Sequence, residues 1–167
     1  MTHRISSHCL QLIMILLFTL SGCATKLAPN FDKALVNGLT TTNTGVMTFI
    51  ASVDGGTENE TYDQRKDNYA ILIGQCNALE IQAKARPIPK NRMTEKINKL
   101  LEKRDIPAID DSGTPSATAM KKISETLVKM RDTDKKQGIT SYEVQAFKNQ
   151  IAIYLDQALT YESFLER

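Results

Sequence analysis

From Phe31 to the end of the chain, apolar side chains recur at steps of three and four residues, the period of a helix with one buried face. Asn30 is placed to cap a first helix carrying Phe31, Leu35, Leu39, Val46, Ile50 and Val53, with the threonine-rich run at 40–44 and Gly45 weakening its middle. Gly38 and Gly45 lie seven apart on one side of it and leave room for a neighbouring helix to approach, a helix break near Gly45 being the alternative. Asp54-Gly55-Gly56 ends the segment, and Thr57-Glu58-Asn59-Glu60 has the form of a capping box for the next. There Tyr62, Tyr69, Cys76 and Ala83 repeat every seven residues with Leu72 and Leu79 between them, until Arg86-Pro87-Ile88-Pro89 forbids continuation. A shorter helix is expected around Met93, Ile97, Leu100 and Leu101, followed by a loop over 105–114.

Thr114-Pro115 reads as cap plus first-turn proline of a helix that buries Met120, Ile123, Leu127 and Met130. The last helix opens on Thr140 with Glu143 three residues on and Ile139 set to staple onto Val144. Its expected core face is Val144, Phe147, Ile151, Tyr154, Ala158, Tyr161 and Leu165. No segment alternates with the period of a strand. The expected fold over residues 31–167 is all-α, an antiparallel helical bundle of about five helices, three long and two shorter.

The first 22 residues follow another rule. Arg4 is their only charge, and Cys9 to Leu20 (CLQLIMILLFTL) is unbroken by any charged residue. Twelve helical residues cover roughly 18 Å, too little for a hydrocarbon core of about 30 Å, and suit the apolar part of a cleaved signal peptide. The run closes on Leu20-Ser21-Gly22-Cys23, which resembles the lipobox of bacterial lipoproteins. The resemblance implies that Cys23 is the lipid attachment site, diacylated on sulfur, with residues 1–22 removed and the new amine acylated. Residues 23–30 then form a lipidated tether. In that family an Asp after the cysteine commonly marks inner-membrane retention, whereas Ala24 here implies the outer membrane. Two or three acyl chains hold a protein at a bilayer effectively for good, each buried CH₂ contributing about 0.8 kcal/mol.

Cutting 22 of the 167 residues leaves 145 and removes Arg4, His3, His8 and Cys9, so 20 basic side chains face 19 acidic ones. Lys121-Lys122 and Lys135-Lys136 are short clusters diluted by acids and read as solvated helix faces, so no nucleic-acid partner is expected. Without histidine the remaining chain has no Ser-His-Asp or Cys-His mechanism and no His-ligated zinc site. Carboxylate-only catalysis survives in principle, but no acid pair stands out and there is no Trp to stack a sugar. Once Cys23 is acylated, Cys76 is the only free thiol; its place on an apolar stripe makes it a buried, inert cysteine. The tyrosines at 62, 69, 154 and 161 read as core or core-edge residues. No enzyme activity, catalytic residue, cofactor or metal is assigned.

One segment comes near to chemistry. Asp132-Thr133-Asp134-Lys135-Lys136-Gln137-Gly138-Ile139-Thr140-Ser141-Tyr142-Glu143 resembles an EF-hand loop. Asp132, Asp134 and Glu143 fall at its first, third and twelfth places and Ile139 at the apolar eighth. The fifth place, an oxygen ligand in working loops, holds Lys136, and the turn glycine comes one residue late at Gly138. Helix punctuation already accounts for Thr140, Glu143 and Gly138, so residues 132–143 are read as the joint between two helices. The sequence thus describes a non-enzymatic, lipid-anchored envelope protein. It acts as an adaptor or structural component through a protein partner, or else as a binding module for an apolar ligand or an inhibitor of another envelope component.

Overall fold

A computed structural model describes residues 28–87, 89, 95–96, 99–100, 102–103 and 113–166. Four long helices dominate: α1 (Lys33–Ser52), α2 (Lys66–Lys84), α3 (Pro115–Gln137) and α4 (Ser141–Leu165). A 3-10 helix (Asn59–Gln64) precedes α2, and two short strands, β1 (Gly56–Thr57) and β2 (Ile139–Thr140), pair antiparallel with Thr57 opposite Ile139. The helices pack in cyclic order, α1 on α2, α2 on α3, α3 on α4 and α4 back on α1. Their register alternates in direction: Gly38 and Gly45 of α1 face Leu79 and Leu72 of α2, and Ser124 of α3 donates to Asn77 of α2. The architecture is an antiparallel, all-α bundle, as the periodicity predicts, with four long helices rather than three.

The first helix runs unbroken through its threonines. Thr40 Oγ1 donates to Val36 O (2.9 Å) and Thr44 Oγ1 to Thr40 O (3.1 Å), so the hydroxyls fold back on their own helix instead of competing with it. Asp32, not Asn30, caps it, its Oδ1 accepting from the amides of Ala34 (2.9 Å) and Leu35 (3.1 Å). Phe31 therefore precedes the helix and is only half-buried. The two α1 glycines do admit a neighbour: a Cβ at Gly38 would lie 2.5 Å from Leu79 Cδ2, and one at Gly45 3.2 Å from Leu72 Cδ2.

The expected capping box at 57–60 does not form. Thr57 is spent on a tertiary contact, Glu58 caps the 3-10 helix without a side-chain bond, and α2 begins only at Lys66. The strand pair is likewise absent from the periodicity, because two residues are too few to show alternation. Beyond Lys84 the prolines stop α2 as expected. Leu100, expected on an apolar face, is 59% exposed; Met93, Ile97 and Leu101 lie outside the described residues, as does most of the loop over 105–114.

The capping signals of the second half are met. Thr114 Oγ1 accepts from Ala117 N with Pro115 in the first turn, and Thr140 and Glu143 form a reciprocal capping box. Met120, Ile123, Leu127 and Met130 are fully buried, as are Val144, Ile151 and Ala158. Phe147, Tyr154, Tyr161 and Leu165 are only half-buried, because the true core face of α4 is centred on Ile151, Leu155, Ala158 and Glu162. Each fully buried Val, Leu, Ile or Met side chain contributes about 1.5–3 kcal/mol.

Candidate functional site

Four charged side chains sit where the apolar stripes run out. On α2 the core register continues as Arg65, Tyr69, Leu72, Cys76, Leu79, Ala83 and Arg86; on α3 it ends at Asp134, and on α4 at Glu162. Because the helices alternate in direction, Arg65 meets Asp134 at one end of the bundle and Arg86 meets Glu162 at the other.

At the first end Asp134 is 0% exposed and Arg65 12%. Arg65 Nε donates to Oδ2 and Nη2 to Oδ1, both at 2.8 Å. Thr57 Oγ1 also donates to Oδ1 (2.6 Å) and Tyr69 OH to Oδ2 (3.2 Å). The remaining guanidinium donors are used as well, Nη1 on Thr61 Oγ1 (2.8 Å) and Nη2 on Glu58 O (3.0 Å). Thr57 Oγ1 accepts from Ile139 N (3.0 Å), tying β2 to the same cluster. Burial alone would raise the Asp134 carboxyl, but the donors from Arg65, Thr57 and Tyr69 and the Arg65 charge outweigh it and hold it below the ordinary range. Burial first, then the neighbouring carboxylate, pushes the Tyr69 phenol well upward. Tyr69 also packs edge-on against Phe49 (ring centroids 4.7 Å apart), which joins the polar cluster to the core.

Beside this cluster an open cleft of about 710 Å³ runs between the α1–β1 turn, the 3-10 helix and the start of α4. Thr57, Arg65, Asn68, Gly138, Thr140 and Glu143 are among its lining residues, which are chiefly polar. The carboxylate of Glu143 accepts from Thr140 N (2.9 Å) and Oγ1 (2.8 Å), which holds its pKa below the usual value. The cleft offers both hydrogen-bond donors and acceptors.

At the second end Glu162 is 0% exposed and Arg86 8%. Arg86 Nη2 donates to Glu162 Oε1 and Nη1 to Oε2 (2.8 Å), while Ser116 Oγ donates to Oε1 (2.6 Å) and accepts from Nη2 (3.1 Å). The Thr114 and Ser116 hydroxyls are hydrogen-bonded to each other at 3.1 Å. Arg86 Nε is buried and has no partner among the described residues. The cluster joins the end of α2 to the first turn of α3 and the last turn of α4.

The EF-hand-like segment is taken apart by this geometry. Residues 132–137 are the last turns of α3, so no ligand loop exists. Asp132 is exposed and pairs with Arg131, Asp134 serves the buried cluster, and Glu143 serves the cap. Among the described residues no group of three or more His, Cys, Asp or Glu is placed to hold a metal ion. Gly138 caps α3 with φ of +77°, its amide donating to Asp134 O (3.0 Å). Cys76 is fully buried, and burial pushes its thiol up to about 12, so it is an inert core residue as expected. Lys121, Lys122, Lys135 and Lys136 are all exposed. Cys23 lies outside the described residues.

Sequence reasoning missed Arg65, Arg86 and Glu162 as buried charges and assigned Asp134 no partner. The signal was present: each continues an apolar stripe at the correct step of three or four, where a charge requires an opposite charge from a facing helix. No protein-family model, no curated protein and no solved structure matches the chain.

Proposed function

We propose that this protein is an outer-membrane-anchored periplasmic lipoprotein, held by acyl chains on Cys23, that acts without catalysis as an adaptor or structural component through a protein partner. The observation that carries the reading is the twelve-residue apolar run closing on Leu20-Ser21-Gly22-Cys23. No described helix is long and apolar enough to cross a membrane, so under this reading the acyl chains are the attachment. From Cys23 to the cap at Asp32 nine residues reach at most about 30 Å, which keeps the start of α1 near the bilayer.

The polar cleft of about 710 Å³ at the Arg65–Asp134 end is the proposed contact surface for the partner. Its open, hydrogen-bonding lining supports protein recognition over enclosure of an apolar ligand.

Growth with labelled palmitate tests the anchor. Label should enter the wild-type chain and disappear on Cys23→Ser; label retained in that variant, or absent from both, refutes lipidation at Cys23. Crosslinking in intact cells then tests the contact surface. A dominant partner captured by the wild type and lost on Asn68→Arg, a change at an exposed cleft residue, supports the adaptor reading, and capture unaffected by it moves the contact elsewhere.

A further inference from the structure

The side of α2 opposite the core stripe carries a second apolar row, Ile71, Gly74, Ala78 and Ile81, again at steps of three and four. All four are solvent-exposed, Ile71 at 57% and Ile81 at 69%. Gly74 is the unexplained member. Mid-helix glycine destabilises a helix relative to alanine, and Gly38 and Gly45 each have an internal reason, a leucine of α2 against the backbone. Among the described residues nothing lies within 4 Å of where a Cβ on Gly74 would stand, so the bundle itself makes no use of the missing side chain.

We propose that this face binds a second copy of the same chain, helix α2 against helix α2, antiparallel about a two-fold axis. Of the antiparallel registers one makes the row self-complementary: Ile71 meets Ile81 of the second copy, Gly74 meets Ala78, and each relation repeats with the copies exchanged, as an isologous interface requires. Gly74 and Ala78 let the two helix backbones approach while the isoleucines close over both ends of the contact. Charge selects this direction over the parallel one. Asp67 lies on this side at the start of α2, and Lys84, paired one turn back with Glu80 and still half exposed, flanks it at the end. Antiparallel pairing brings Asp67 beside Lys84 of the second copy, whereas parallel pairing sets Asp67 against Asp67. Four residues a side bury less than the roughly 800 Å² per partner of a standard interface, so the dimer is weak and reversible and is best trapped covalently.

Disulfide trapping of the full chain in oxidised cells tests it. Within one helix, positions 71 and 81 are about 15 Å apart, beyond the Cα separation of roughly 7 Å that a disulfide tolerates, so a bond between them must join two chains. The variant Ile71→Cys/Ile81→Cys should yield a disulfide-linked dimer, with either single variant remaining at the background set by the native cysteines. No dimer from the double variant, or an equal yield from Ile71→Cys alone, overturns the proposal. Adding Gly74→Leu to the double variant should abolish the crosslink while leaving the melting temperature of the chain at or above its starting value. A lowered melting temperature would mean that Gly74 serves the chain's own fold, and would overturn the argument as well.

Discussion

The two ends of the bundle solve one problem differently. Each places a buried Arg–carboxylate pair where an apolar stripe runs out, yet the Arg65–Asp134 end uses every guanidinium nitrogen and binds a strand pair, a turn and a 3-10 helix to the helices. The Arg86–Glu162 end has a two-hydroxyl support and leaves Arg86 Nε buried with no partner among the described residues. A buried ion pair contributes net stability only when its remaining donors and acceptors are satisfied. The first pair therefore organises its end of the molecule, and the second is a brace that apolar side chains can replace.

The sharpest way to break this comparison is to remove the pairs. Asp134→Ala should cost about 3–5 kcal/mol in urea unfolding, because it strands Arg65 in the interior. Replacing both partners separates the ends: Arg86→Met/Glu162→Leu should fall within about 1 kcal/mol of wild type. Arg65→Met/Asp134→Leu should remain well below it, since Thr57, Tyr69 and Glu58 O also lose their partners. Equal losses from the two double variants would erase the distinction.

Next in size is the turn that only the first end possesses. Gly138 sits at φ +77°, and a Cβ there would run into the carbonyl oxygen of Thr57, so Gly138→Ala should cost about 2 kcal/mol or more by thermal unfolding. An unchanged melting temperature would mean that the β1–β2 pairing is dispensable. Acid provides a milder probe. The Asp134 carboxyl is held below its ordinary value in the folded chain, so its stabilisation is present above the unfolded value of about 3.9 and is lost as pH falls through the folded one. The urea midpoint should therefore drop below pH 4, with a shallower drop in Asp134→Asn, and parallel pH curves for the two proteins would contradict the assignment. The smallest change is Thr140→Ala, which removes a cap from exposed backbone at the same end and should cost about 1 kcal/mol.

The helices of the second half were legible because their signals are local. Thr114-Pro115 and Thr140 with Glu143 act within a single turn, and Met120, Ile123, Leu127 and Met130 declare their face by spacing alone. The 57–60 box was misread for the opposite reason: its threonine is claimed by Asp134, 77 residues away, and no local pattern reports that competition. Asp134 shows the same limit. Its spacing from Asp132 and Glu143 imitated a calcium loop, while its spacing from Met130 and Leu127, the one that the fold obeys, placed it in the core.

What the sequence by itself determined is the helical period, the caps that open α3 and α4 and the proline stop after α2, all set by interactions within a few residues of one another. Only the tertiary structure decided which charges are buried, where Thr57 donates, that α3 continues through residues 132–137, and that Gly74, unlike Gly38 and Gly45, faces open space. Those features depend on which helix lies opposite, and a one-dimensional pattern specifies the face of a helix but not the identity of what it meets.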